Sequence, residues 1–249
     1  MQSLNIALVT SEVTYIPHNY DKLILPLLKL GSVTMLIELE NRSLDLLVKA
    51  AGLRILGAKR VAYHLAKNNL CPSSKSRKQA CADNDVIYRK LKTMNNQVAL
   101  NLMSEHKIDL IINLRTRCIY KDKILTAPRL GCINVHHGLL PTYRGTMCDL
   151  YALYDDRPAG FSVHKMEKKV DAGEIYRVQE VSNSHLNYAE YLALTNEYEL
   201  KVLTELISEI EELSHLPSGI ENKSKNKPIY TKNPDRNTIA KMQAKGMLL

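Results

Sequence analysis

The sequence predicts an α/β protein built on a mostly parallel sheet. Short apolar runs rich in Val, Ile and Leu alternate with segments that carry a helical apolar period, which is typical of βαβ units. Residues 161–166 and 175–178 alternate apolar and polar side chains instead, and this pattern favours antiparallel strands. We therefore expect a Rossmann-like sheet with an antiparallel extension, followed by a short helical C-terminal part.

The first half of the chain is predicted to hold two buried strands and several helices. The strands are the apolar runs at residues 4–10 and 32–37. Helical patterns cover residues 20–30, 43–68 (interrupted near Gly57) and 86–105. The polar stretch 69–85 contains Pro72 and many Ser and Lys residues, and it predicts a loop.

The second half adds two more buried strands and a helical end. The strands lie at residues 108–114 and 131–136, with a short helix at 120–126 between them. The helical period returns over 187–214, and Pro, Gly, Lys and Asn then indicate a linker at 216–229. The tail, 230–249, is expected to pack back as a short helix. We divide the chain into a domain at 1–181 and a C-terminal helical extension at 182–249.

Composition and charge limit the classes of function. The chain has 249 residues, of which 45% are hydrophobic and 24% charged, as in globular proteins and unlike disordered or collagen-like chains. Lys plus Arg number 34 and Asp plus Glu 26, a net charge of +8, so the partner is expected to be anionic: nucleic acid, anionic lipid or a phosphorylated small molecule. The basic stretch 54–93 fits either a solvated face or a phosphate- or nucleic-acid-binding surface.

The cysteines and the apolar runs bear on location. The five cysteines form no CxxC and no paired metal-ligand spacing, which favours reduced thiols. The N-terminus lacks the basic start and apolar stretch of a signal peptide, and no run of roughly 18 apolar residues could span a membrane. We therefore predict a cytoplasmic protein that neither spans a membrane nor binds a metal.

Polar side chains at the end of one predicted strand mark a candidate site. Asn134 and His136 are two residues apart, so both point to one face of the strand. In parallel α/β sheets the carboxyl ends of the strands border the ligand crevice. A loop with Tyr143 and Arg144 follows, and Asp171 lies in a later turn. Taken singly, each of these residues is ordinary; together they predict a catalytic crevice.

These motifs resemble those of the folate-dependent formyltransferases. The matching segments, in order, are Asn134-Val135-His136, Leu139-Leu140-Pro141, Tyr143-Arg144-Gly145 and Val170-Asp171-Ala172-Gly173. The resemblance covers residues 108–181 well. His137-Gly138 stands where the family usually has Pro-Ser or Gly-Ser, and Val170 stands where it has Leu.

The resemblance implies that an amine attacks the formyl carbon of N10-formyltetrahydrofolate. Asn134 would donate to the developing oxyanion, and His136 would donate as an imidazolium or move protons. Asp171 would favour that imidazolium, because a nearby opposite charge raises the pKa of a histidine. The chemistry needs no metal.

The resemblance also implies where the substrates bind. The folate ring would contact main-chain groups of Arg117, Cys118 and Ile119 and of the loop that contains Lys169 and Val170. Tyr143 and Arg144 would line the phosphate site of the acceptor or hold their own loop in place; both alternatives stay open.

The expected function is N-formylation of a small amine, most simply a nucleotide-linked amino sugar. Methionyl-tRNA formyltransferases carry an additional C-terminal β domain, and the largely helical segment after residue 181 disfavours tRNA as acceptor. Glycinamide ribonucleotide is one alternative. A nucleic-acid-binding protein with a vestigial site is an alternative of a different class. The sequence leaves a homodimer open.

Overall fold

The computed structural model describes residues 4–181, 187–224 and 227–249. Its strands are β1 (Ile6–Ser11), β2 (Val33–Leu39), β3 (Ile87–Leu91), β4 (Leu110–Leu114), β5 (Cys132–His136), β6 (Tyr143–Gly145), β7 (Ala159–Lys165), β8 (Ile175–Val181) and β9 (Ile229–Thr231). Its helices are α1 (Asp21–Leu27), α2 (Leu44–Ile55), α3 (Lys59–Leu70), α4 (Ser74–Asp83), α5 (Gln97–Glu105), α6 (Asp122–Leu125), α7 (Cys148–Tyr154), α8 (Tyr188–Leu213) and α9 (Arg236–Ala244). A 3₁₀ turn, Pro17–Tyr20, precedes α1.

One seven-stranded sheet organises the chain, in the order β3-β2-β1-β4-β5-β7-β8. The first five of these strands are parallel, and β7 and β8 are antiparallel. The predicted mostly parallel sheet with an antiparallel extension is therefore confirmed. The short strands β6 and β9 pair separately. The carboxyl ends of β1, β4 and β5 meet at one edge, where polar side chains are concentrated.

Helices cover both faces of the parallel strands, which is why β1 and β4 are buried along their whole length. The largest core cluster includes residues of α1, α7 and α8, and a second cluster includes residues of α5 and α6. The long helix α8 shares its core with the sheet. The predicted boundary between residues 181 and 182 falls at the start of a gap in the described ranges and stays a prediction.

Two predicted elements in the first half are wrong. The predicted loop at 69–85 contains α4, and the predicted helix at 86–105 is the strand β3 followed by α5. The sequence of α4 lacks the apolar period of a helix because its main buried contact is made by a charged residue, Arg77, rather than by apolar side chains. Strand β3 lies at the edge of the sheet with Arg89 and Lys90 exposed, so its sequence lacks the apolar run of a central strand.

The remaining predictions for helices are close to the structure. The interruption near Gly57 separates α2 from α3, where Gly57 has φ +94°, a conformation that favours glycine. The tail packs back through α9, and the Leu249 carbonyl accepts a hydrogen bond from the Arg60 amide at 2.8 Å. Residues 225 and 226 of the predicted linker lie outside the described residues. Among the residues that are described, no helix combines the length and the apolar character needed to cross a membrane.

Candidate functional site

A row of polar side chains crosses three neighbouring strands at the candidate site. Asn113 on β4 lies beside Asn134 on β5, and Asn134 lies beside His164 on β7. The Asn113 Nδ2 donates to Asn134 Oδ1 at 2.7 Å, and Asn134 Nδ2 lies 3.2 Å from His164 Nε2. Strand pairing thus brings together groups that are far apart in sequence, and it adds Asn113 and His164 to the predicted residues.

Asp171 reaches the same place from the loop between β7 and β8. Its Oδ1 lies 3.5 Å from His136 Nδ1 and 3.7 Å from His164 Nε2, while its Oδ2 accepts from the Gly145 amide at 3.1 Å. Asp171 has φ +52°, an uncommon conformation for a non-glycine residue that often marks functional turns. The predicted trio of Asn134, His136 and Asp171 therefore meets in one place.

The contacts of His136 define which of its nitrogens is basic. Its Nε2 lies 3.1 Å from the Tyr143 carbonyl oxygen. A carbonyl only accepts hydrogen bonds, so Nε2 carries the proton in the neutral ring. The unprotonated Nδ1 then faces the Asp171 carboxylate.

Asp171 raises the pKa of His136, as expected, but it does not decide the protonation state of the ring. Burial lowers the pKa of His136, and the opposing effect of Asp171 does not compensate for it. The reason is that a buried imidazolium loses its hydration, and one carboxylate at 3.5 Å replaces only part of that hydration. The lowered pKa makes the His136 ring neutral at pH 7 rather than an imidazolium.

His164, which none of the four matching motifs contains, lies among the candidate catalytic groups. Burial, followed by repulsion from His136, lowers its pKa to about 4. Its Nδ1 lies 2.7 Å from the Lys165 carbonyl, so the neutral ring is protonated at Nδ1 and accepts at Nε2. One sequence signal could have found it: Ser162 and His164 are polar at the two positions of β7 that face Asn134 and His136.

The lowered pKa of His164 predicts a loss of stability in acid. Unfolded histidine takes up a proton near pH 6.5, whereas His164 in the folded protein does so near pH 4. Between these values the unfolded state binds more protons than the folded state. Each pH unit of acidification therefore lowers the free energy of unfolding by up to about 1.4 kcal/mol through this group. Its contribution is complete above about pH 6.5 and is lost towards pH 4. Urea unfolding between pH 7.5 and 4.5 should show a steeper loss in the wild type than in His164→Gln, and equal slopes would contradict the assignment.

The predicted acceptor residues Tyr143 and Arg144 point into the protein. Their exposed fractions are 2% and 6%. The Arg144 Nη2 donates to the Asn222 carbonyl at 3.0 Å, and Asn222 Nδ2 donates to the Asp171 carbonyl at 3.1 Å. These contacts support the alternative in which Arg144 holds a loop, here the one that carries Asp171. Binding of the acceptor by Tyr143 and Arg144 stays a prediction.

The two segments expected to hold a folate ring lie on neighbouring loops. Arg117, Cys118 and Ile119 follow β4, and Lys169 and Val170 precede Asp171. The second loop approaches the start of α6, which follows the first loop, where Lys168 Nζ lies 3.4 Å from Asp122 Oδ2. Two apolar side chains are exposed on them, with Ile119 at 68% and Val170 at 55% exposure. Binding of folate there stays a prediction.

A cavity of about 250 Å³ opens beside the first of these loops. Met94, Leu100 and Ile124 provide its apolar lining. Asn95, also in the lining, donates from Nδ2 to the Ile119 carbonyl at 2.8 Å. Within the described parts of the chain, no cluster of three His, Cys, Asp or Glu side chains could hold a metal ion.

His137 belongs to a second, fully buried polar cluster. Its Nδ1 lies 3.3 Å from Asp149 Oδ2, and its Nε2 pairs with Glu199 on α8. Tyr20 donates to Glu199 at 2.7 Å, and Tyr188 donates to Asp149 at 3.0 Å. The cluster therefore ties α8 to the residue that follows His136. The contacts with Asp149 and Glu199 give His137 a structural role at the position where the formyltransferase motif usually has another residue.

Comparison with known proteins identifies the family. Residues 49–205, more than half of the chain, match the formyl transferase family. A methionyl-tRNA formyltransferase of Thermotoga maritima is 33% identical over 106 residues, which cover 42% of this chain and 34% of that relative. The match thus spans about a third of the relative's length.

Solved structures share the fold. Glycinamide ribonucleotide transformylase 1 from Symbiobacterium toebii aligns with a TM-score of 0.58 and 16% identity over 84% of this chain and 90% of that one. The formyltransferase PseJ from Anoxybacillus kamchatkensis, solved with UDP-4,6-dideoxy-4-formamido-L-AltNAc and tetrahydrofolate, aligns with a TM-score of 0.53 and 22% identity, over 70% and 89% of the two chains. Together with the family match, the observed fold leads to one conclusion: the chain belongs to the formyl transferase family.

Proposed function

We propose that this protein transfers a formyl group from N10-formyltetrahydrofolate to the primary amine of a small acceptor. The observation that carries the proposal is the convergence of Asn134, His136 and Asp171, with His136 Nδ1 3.5 Å from Asp171 Oδ1. Formyl transfer requires a donor for a developing negative oxygen and a base for the proton of the amine. An amide, a neutral imidazole and a carboxylate supply these functions without further groups.

Asn134 is the donor to the formyl oxygen. Its amide nitrogen carries two hydrogens, and His164 Nε2 accepts one of them at 3.2 Å. The second hydrogen is left for the substrate. Removing one preorganised donor of this kind typically costs about 2.7–4 kcal/mol of transition-state stabilisation.

His136 and Asp171 handle the proton. The neutral His136 ring accepts the proton of the attacking amine at Nδ1, and the imidazolium that forms pairs with Asp171 across the same 3.5 Å contact. Its lowered pKa keeps the base unprotonated at pH 7, ready to react. The same proton can then pass from Nδ1 to the leaving nitrogen.

The residues around the loops at 117–119 and 169–170 fit a folate ring. Exposed apolar side chains at Ile119 and Val170 offer the surfaces that a flat ring covers, and the neighbouring main chain offers hydrogen bonds. Folate would supply the formyl group in an activated form. The chain would supply the binding, the orientation and the proton transfer.

The acceptor that we propose is a nucleotide-linked amino sugar. The support is electrostatic: the chain carries a net charge of +8, and basic side chains such as Lys59, Lys67, Lys75 and Lys78 are exposed on α3 and α4. A diphosphate forms strong, charge-assisted hydrogen bonds with such groups. The similarity to a methionyl-tRNA formyltransferase makes methionyl-tRNA the second candidate, because the same basic side chains suit RNA.

A turnover screen tests both the proposed formyl transfer and the proposed acceptor. Consumption of formyl-folate is measured with nucleoside-diphosphate amino sugars, glycinamide ribonucleotide, methionyl-tRNA and no acceptor, with His136→Ala as the inactive control. We expect turnover with an amino sugar nucleotide. Preference for glycinamide ribonucleotide or methionyl-tRNA would overturn the choice of acceptor and leave formyl transfer standing. Absence of turnover together with salt-sensitive binding of polyanions would favour a nucleic-acid-binding protein instead.

A further inference from the structure

We propose that Asn113 is a positioning residue, which sets the direction of the Asn134 amide so that its NH₂ group, and not its oxygen, faces the reacting centre. Asn113 lies on β4, outside the motifs that identify the site, and it is buried. It is the neighbour of Asn134 across the β4–β5 pair. The kinetic part of this inference rests on the proposed function, and the structural part does not.

In the row of Asn113, Asn134 and His164, the hydrogen bonds determine which atom of each side chain donates and which accepts. The Lys165 carbonyl accepts from His164 Nδ1 at 2.7 Å, so the neutral His164 ring has a free lone pair at Nε2. That lone pair needs a donor, which is Asn134 Nδ2 at 3.2 Å. The Asn134 oxygen is then directed towards Asn113.

The orientation of the Asn113 amide, at the end of the row opposite to His164, agrees with this arrangement. Its Oδ1 accepts from Thr116 Oγ1 at 2.6 Å and lies 3.4 Å from the Tyr120 hydroxyl. With its oxygen occupied by hydroxyl groups, Asn113 presents Nδ2 to Asn134 Oδ1 at 2.7 Å. Each amide can turn over only if its neighbour loses a hydrogen bond, so the row has one favoured polarity.

For the site, the consequence is that the Asn134 amide keeps its NH₂ group, a hydrogen-bond donor, in one orientation. A free asparagine side chain can rotate its amide by half a turn and present either its oxygen or its nitrogen. An oxygen facing a developing oxyanion would repel it, whereas a donor stabilises it. Asn113 thus affects the reaction through Asn134 without touching the substrate.

The decisive experiment replaces Asn113 with leucine, which has a similar shape and no polar atoms. In protein labelled with ¹⁵N, the wild type should show a scalar correlation through the hydrogen bond between Asn134 Nδ2 and His164 Nε2. We expect Asn113→Leu to weaken or abolish this correlation. We also expect it to lower kcat about tenfold or more, with the KM for both substrates changed less than about threefold. The matched control is Asn101→Leu, on the exposed face of α5, which should leave both readouts unchanged.

A second variant, Asn113→Ala, removes the same donor without filling the space. A folded Asn113→Leu or Asn113→Ala protein with the correlation intact and wild-type kcat would overturn the inference. If neither variant gave dispersed amide resonances, Asn113 would be a residue required for folding, and the inference would also fail. If the wild type transferred formyl to no amine, the correlation would still decide the role of Asn113 while the proposed function failed.

Discussion

Replacing His136 with alanine is expected to lower kcat for formyl transfer by roughly 10²- to 10⁴-fold, the range for loss of a general base. The imidazole Nδ1 is the basic atom next to Asp171, whereas the unprotonated Nε2 of His164, 3.7 Å from the same carboxylate, already accepts from Asn134. The fold should persist, because His136 makes polar contacts at the end of β5 and is not part of the apolar core clusters. Steady-state kinetics with the preferred acceptor give the effect on kcat, and circular dichroism verifies folding.

Asp171→Ala should behave in the same way, with a loss of roughly 10²-fold or more. Without the carboxylate, the buried imidazolium that forms during the reaction loses the anion next to its Nδ1. The matched control is His215→Ala, which removes an exposed imidazole after α8 and should leave kcat unchanged. Near-wild-type activity in His136→Ala or Asp171→Ala would remove that residue from the mechanism.

The second large effect concerns stability: Arg77→Met is expected to lower the free energy of unfolding by about 3–5 kcal/mol. Arg77 is fully buried on α4 and pairs with Glu38 at 2.9 Å and Asp21 at 2.8 Å. It also donates to the main-chain carbonyls of Ser11 and Asn19. One side chain therefore holds the end of β1, the end of β2 and the turn before α1.

The size of this effect follows from the charge that would be left behind. Burial raises the pKa of Glu38, but the Arg77 guanidinium and hydrogen bonds from Ser74, Arg77 and Tyr88 hold it below its ordinary value. Without Arg77, a buried carboxylate loses its main cation. Urea unfolding measures the change, and Lys78→Met on the exposed side of α4 is the matched control.

A double variant separates the ionic effect from packing. Adding Glu38→Gln to Arg77→Met should restore part of the stability, because it removes a buried carboxylate for which Lys90 is the remaining cation. A loss below about 1 kcal/mol for Arg77→Met would show that the ionic contacts do not support the fold in this way.

The class of fold and two of the candidate site residues, Asn134 and His136, could be predicted from local sequence patterns alone. The apolar runs of β1, β2, β4 and β5 are visible because central parallel strands are buried on both faces. Asn134 and His136 could be assigned to one face because side chains two apart on a strand point the same way. Asp171 was found through a motif, since nothing local links residue 171 to residue 136.

Contacts between distant segments could not be predicted in this way, and they became visible when the chain was folded. The roles of Arg77 and Asn113 come from groups on other strands and turns, and a single buried charge or amide has no periodic signal. The direction of the His136 pKa depended on burial, which outweighs the neighbouring Asp171, and burial is a property of the packed chain. The polarity of the Asn113–Asn134–His164 row likewise arises where three strands pair, because each hydrogen bond there fixes the orientation of the next.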